Sequence, residues 1–179
     1  ANSDIARYRW RNRGIAPLGY IKGMALVYAR MYCKYKAGDA VAIEIAKADT
    51  GNTKKDALAH YAKEFTNAGM SNASSGVDTL RHLFVLLIGL GMRESSGKYC
   101  EGRDKSASNT SAETAEAGLF QTSYNIRGAS PLIPVLFQHY LAHPNGFLDV
   151  FKEGVYCKSS DLVNYGEGSG KSFNVCRRN

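Results

Sequence analysis

Glu94 stands where an acid catalyst could be made. It follows the most apolar run of the chain, Leu80 to Met92, in the segment Arg93-Glu94-Ser95-Ser96-Gly97. A carboxyl against apolar packing is harder to ionise, so it keeps its proton closer to neutral pH and can donate it to a leaving oxygen. Glycoside hydrolysis needs such an acid, together with a group that activates water or stabilises an oxocarbenium-like state. Glu101, Asp104, Glu113 and Glu116 follow in the next polar stretch. Of these, Asp104 and Glu113 are the preferred second carboxylates. The reading requires that Glu94 be shielded from water. From position alone, the alternative is an exposed glutamate at a helix end.

The local words sharpen this reading. Met92-Arg93-Glu94-Ser95-Ser96-Gly97, followed by Ala117-Gly118-Leu119-Phe120-Gln121, resembles the paired signatures of goose-type lysozymes and soluble lytic transglycosylases. The resemblance covers residues 80–125. In that superfamily a Glu-Ser pair ends a buried helix, and a Gly-Leu-Met-Gln segment follows a loop or small sheet. Phe120 replaces the usual Met, and Ser123 stands near a position where goose-type lysozymes carry an aspartate. The stretch between Glu94 and Gly118 is also longer than usual. The resemblance implies that Glu94 is the general acid. It implies that Gln121 and Tyr124 line a groove and hold sugar hydroxyls or N-acetyl groups, with Glu116 beside them. It also implies that Gly118 lets the backbone approach the saccharide. With a loop base the reaction is hydrolysis. With Glu94 alone it is transglycosylation to a 1,6-anhydro end.

Other motifs fall away. Gly166 to Ser172 looks like a phosphate loop, but Tyr165 stands where the first glycine belongs and no helix can follow. His139 and His143 are four apart but have no nearby carboxylate, so no metal is expected there. The four cysteines, Cys33, Cys100, Cys157 and Cys176, contain no C-x-x-C and fit two disulfides better than zinc. Four cysteines allow three pairings, which sequence does not decide; the Gly/Ser-rich tail that Cys157 and Cys176 would close favours that pair, leaving Cys33 with Cys100. Asn72 and Asn109 each begin an Asn-x-Ser/Thr glycosylation pattern.

The elements that must position these residues follow from periodicity. Ile21, Met24, Ala25, Tyr28, Met31, Tyr32 and Tyr35 recur at helical spacing between Pro17 and Lys36. A short helix is expected over 40–48, and another over 54–67 with Thr53 as its cap. Leu80–Met92 is apolar on nearly all sides and is expected to be a central helix. A small hairpin is expected within 98–118. Pro131–Leu141 and Phe147–Lys152 read as helical. Residues 1–16 and the tail from Tyr156 read as irregular.

The chain has 179 residues and 44% hydrophobic content, which excludes a disordered tail and suits one domain over 1–179. Its charge of +7 and pI near 9.2 suit a polyanionic partner. Arg7, Arg9, Arg11 and Arg13, interleaved with Tyr8 and Trp10, hold much of the excess. This segment is read as solvated rather than as a nucleic-acid site. The longest apolar run is too short to cross a bilayer. The expected fold is mainly α (α+β), a lysozyme-like single domain with a hairpin lining a glycan cleft. The expected function is a secreted or periplasmic, monomeric hydrolase of peptidoglycan or a related N-acetylated polysaccharide. No cofactor, metal, nucleic-acid partner or membrane insertion is expected. The rivals are a transglycosylase, a chitinase or chitosanase of the same superfamily, and a glycan-binding domain without turnover.

Overall fold

The computed structural model describes residues 2–102, 111–142, 149–157, 164–167 and 171–174. It is mainly helical, with three small antiparallel strand pairs among the described residues. The chain forms two compact units, Ala1–Gly23 with Leu90–Asn179, and Met24–Gly89. Two long helices, α2 (Leu18–Lys36) and α6 (Val77–Ser95), contribute residues to both.

In the first unit the segment 2–16, expected to be irregular, contains regular structure. A turn of helix, α1 (Asp4–Arg7), leads into a hairpin of β1 (Arg9–Trp10) and β2 (Gly14–Ile15). Asn12 and Gly14 take left-handed backbone at its tip, a conformation that Asn tolerates and Gly adopts without cost. Each strand is only two residues long, too short for alternation to show in the sequence.

The first turns of α2 are the hub of this unit. Tyr20 is fully buried, and Gly91 and Gly97 lie against its ring, so a Cβ at either position would collide with it. On another side, Gly19 donates its backbone N–H to Glu153 O at 2.8 Å, and Gly23 lies against Phe151 of α8 (Asp149–Lys152). Lys22 pairs with Glu153 at 2.7 Å. Residues 91–97 and 151–154 therefore share a docking partner. This explains the disulfide: Cys100 bonds Cys157, with Cα atoms 5.9 Å apart. The expected pairings, Cys33 with Cys100 and Cys157 with Cys176, are corrected. Cys33 is an exposed free thiol on α2, and Cys176 lies outside the described residues.

The hairpin of the central region is β3 (Glu116–Ala117) with β4 (Thr122–Ser123), at the end of the expected 98–118 window and beyond it. A 3-10 turn (Tyr124–Gly128) and α7 (Leu132–Ala142) follow. The tail expected to be irregular contains a third hairpin, β5 (Asn164–Glu167) with β6 (Lys171–Asn174).

The second unit contains α3 (Ala40–Ile45), α4 (Ala57–His60) and α5 (Ala62–Asn67). The helix expected over 54–67 is two short helices, and its cap is Asp56 rather than Thr53. The Asp56 carboxylate accepts from Leu58 N at 2.9 Å, and also from Thr50 N at 2.7 Å in the preceding loop. Thr50 N–H is the main reason its carboxyl lies below the 3.8 of a free aspartate. Helix α6 is less enclosed than its composition implies, since Val85 and Leu90 are exposed. Its buried residues are Thr79, Leu80, His82, Phe84, Gly91, Met92 and Ser95, of which Leu80, Phe84, Gly91 and Ser95 share one side.

Candidate functional site

Glu94 occupies the last turn of α6, in the first unit. The helical period sets its direction. Met92 and Ser95 are buried, so Arg93 and Glu94 turn outward, and both are exposed. The expectation of a shielded carboxyl is corrected: an apolar run identifies a buried helix, but not which side of its final turn faces the core. Ser95 fixes that turn by donating its hydroxyl to Gly91 O at 2.9 Å. Ser96 and Gly97 then take left-handed backbone, and Gly97 N–H bonds Gly91 O at 3.1 Å. These are the bonds of a helix C-terminal cap, and they direct the chain away from the axis just beyond Glu94.

The second sequence word is held at one carbonyl, that of Glu101, in the segment that follows the first word. Glu101 O accepts the backbone N–H of Gly118 at 2.8 Å and the Gln121 side-chain amide at 3.3 Å. The same amide also donates to Gly118 O at 3.1 Å. Gly118 (φ 79°) and Gln121 (φ 48°) are both left-handed, so the turn needs support that the strands alone do not give. Glu101 belongs to the segment that leaves α6, and its side chain pairs with Lys98 at 3.4 Å. The β3–β4 turn is thus held against the chain emerging from the Glu94 helix.

Other sequence-predicted residues take different roles. Gln121 uses its amide N–H groups on backbone carbonyls, so its donors serve the turn rather than a sugar. Tyr124 is 2% exposed and meets Phe137 edge to face at 5.1 Å. It is a core residue, which corrects its assignment to a groove wall. Glu113 is half-buried, and its carbonyl accepts from Asn125 N at 2.9 Å. Glu116 is exposed on β3, paired in register with Ser123. Asp104 and Asn109 lie outside the described residues, as does His143. His139 is exposed on α7. Among the described residues, no three His, Cys, Asp or Glu side chains group as metal ligands would.

Sequence reasoning missed the polar pair in the core of the second unit. His82 Nδ1 donates to Asn72 Oδ1 at 2.7 Å, Asn72 Nδ2 donates to Leu58 O at 3.3 Å, and Phe65 stacks on the His82 ring at 4.9 Å. Asn72 is 3% exposed, so its glycosylation pattern is not usable in the fold. Nothing in the spacing of Asn72 and His82 marks them as partners. An open groove of about 720 Å³ adjoins this pair, lined by Met70, Ser74, Asp78, Arg81, His82 and Val85 among others. It contains none of the sequence-predicted site residues.

Comparison with protein-family models, with curated proteins and with solved structures finds no match to this chain.

Proposed function

We propose that this chain is a glycoside hydrolase acting on the glycan strand of peptidoglycan, with Glu94 as the general acid. The observation that carries this reading is the shared Glu101 carbonyl, which ties the Gly118–Gln121 turn to the segment leaving the Glu94 helix. It holds the second of the two words that resemble goose-type lysozymes and lytic transglycosylases against the chain that follows the first. A carboxyl at a helix end and a braced turn are parts such a site needs, and the shielding that the acid requires must come from the bound glycan.

In the proposed reaction Glu94 protonates the glycosidic oxygen as the bond to the anomeric carbon breaks. A water, relieved of its proton by a second carboxylate, attacks that carbon from the opposite face. Glu113 and Asp104 are the proposed bases. A separation of about 6.5–9.5 Å from Glu94 would leave room for the water and give inversion. Because Glu94 is exposed in the free protein, the glycan itself must displace the water around it. The exposure favours a second reading, a glycan-binding domain without turnover.

The test is Glu94→Gln. At an exposed helical position the substitution should change stability by less than about 0.5 kcal/mol. With purified peptidoglycan, the wild type should release reducing muramic acid ends, detected by mass spectrometry. The variant should lose turnover by roughly two to four orders of magnitude. Anhydro ends would mean transglycosylation. Retained binding with no products from the wild type would mean the second reading.

A further inference from the structure

We propose that the N-terminal hairpin is a docking surface for an anionic glycan, the charged form of the polymer proposed above as substrate. The proposal rests on that reading for the polymer's identity, but the surface is argued from charge and geometry.

Eight of the 23 Lys and Arg residues, and none of the 16 acidic ones, lie between Ile5 and Gly38, so the remainder of the chain is close to neutral. Four of the eight fall in seven residues, and all four are Arg. Guanidinium groups bind carboxylate and phosphate through two parallel hydrogen bonds, which an ammonium does not. Arg7 is engaged with Asp4 at 3.3 Å. Arg9, Arg11 and Arg13 are exposed, and among the described residues no acidic side chain pairs with them. The Arg9↔Ile15 and Trp10↔Gly14 pairing holds Arg11 and Arg13 at the tip of a formed hairpin rather than on a loose tail. Tyr8 is 57% exposed and presents an open ring next to these cations, a plate for the CH face of a sugar. The hairpin belongs to the same compact unit as Glu94.

The geometry disfavours other polyanionic surfaces. Trp10 is half-buried, meets Tyr8 edge to face at 5.2 Å, and has its Nε1 enclosed, so Tyr8 is the one open ring of the pair. One ring does not make the series of platforms that successive nucleic-acid bases need. Arg9 and Ile15 face one side of the hairpin while Tyr8 and Trp10 share the other, so neither side is the apolar face that a bilayer would take up.

The experiment is co-sedimentation of the full chain with insoluble peptidoglycan, with peptidoglycan whose carboxyls have been amidated, and with chitin, which is neutral. Wild type, Glu94→Gln and the triple variant Arg9→Gln/Arg11→Gln/Arg13→Gln are compared, with thermal unfolding as a check on folding. Wild type and Glu94→Gln should bind native peptidoglycan alike and release it as salt rises from about 0.1 M to about 1 M. The triple variant should bind it roughly tenfold more weakly. Amidation should weaken wild type to the same degree, and chitin binding should be the same for all three proteins. Equal binding of native peptidoglycan by wild type and the folded triple variant would overturn the proposal. So would tighter binding of duplex DNA or of phosphatidylglycerol vesicles. Arginine-dependent binding without any new chain ends would leave the docking surface standing and remove the hydrolase. Cleavage with KM unchanged in the triple variant would do the reverse.

Discussion

At the scale of single residues, the neighbours of Glu94 fix the helix end from which this proposed acid projects. Ser95 and Gly97 anchor the helix end, and Glu94 projects from it. Gly97 carries the sharpest constraint. Its φ of +75° suits glycine, and a Cβ there would meet Tyr20 at 2.7 Å and Pro17 at 2.9 Å. Gly97→Ala should therefore destabilise the protein by about 2–4 kcal/mol, combining backbone strain with overpacking, as measured by urea denaturation. A loss under about 0.5 kcal/mol would mean that Tyr20 can move aside. The helix that ends beside Glu94 was legible from the apolar run that stops at Met92. The exposure of Glu94 was not, since one position of slip around the helix separates the buried Ser95 from the outward Glu94. The role of Gln121 was not legible: the resemblance put its side chain on a groove wall, and the fold turns it onto the Glu101 and Gly118 carbonyls. Its bond to Glu101 O joins positions far apart in sequence.

At the scale of elements, the long helices were legible and the short ones were not. Helix α2 appears at Leu18–Lys36, where apolar residues recur over five turns. The start of α4 is set by Asp56, whose side chain satisfies Leu58 N, Ala59 N and the loop amide of Thr50 together, and the break from α5 falls at Tyr61. That convergence has no one-dimensional signature. It does have a pH signature. The Asp56 carboxyl titrates below its unfolded value, first because of the Thr50 N–H, while its partial burial acts in the opposite direction. The stabilisation is therefore complete above about pH 5 and is lost as pH falls from about 4 through the folded value. Asp56→Asn keeps a good cap but does not titrate. It should flatten the fall in urea midpoint between pH 5 and pH 2.5. Asp39, which caps α3 and is held low first by the Ala42 N–H, adds a parallel dependence, so Asp39→Asn is the control. An unchanged acid slope in both variants would contradict this account. The three hairpins were hidden for a different reason: strands of two to four residues carry too little alternation to outweigh their turn-rich surroundings.

At the scale of the molecule, one covalent link and the charge distribution matter most. Cys100–Cys157 closes a loop spanning 57 residues in sequence. On chain-entropy grounds, reducing it should cost about 4 kcal/mol. Hydrogen exchange should then rise first at residues 90–102 and 149–157, and later or less at 57–67. A uniform rise would mean that the two units unfold as one. In the unreduced protein, iodoacetamide should label Cys33 but neither Cys100 nor Cys157. The even cysteine count was legible as disulfide chemistry. The partners were not, because they depend on α8 returning to the start of α2, which no local spacing encodes.

The Tyr20 ring, wedged beneath Gly91 and Gly97, has a consequence for genetics. A residue far upstream sets where the C-terminal end of α6 comes to rest. If the proposed cleavage holds, a library screened for its loss would recover changes at Tyr20 alongside changes at Glu94. The two classes would separate on purification, the first giving a poorly folded protein and the second a sound but silent one.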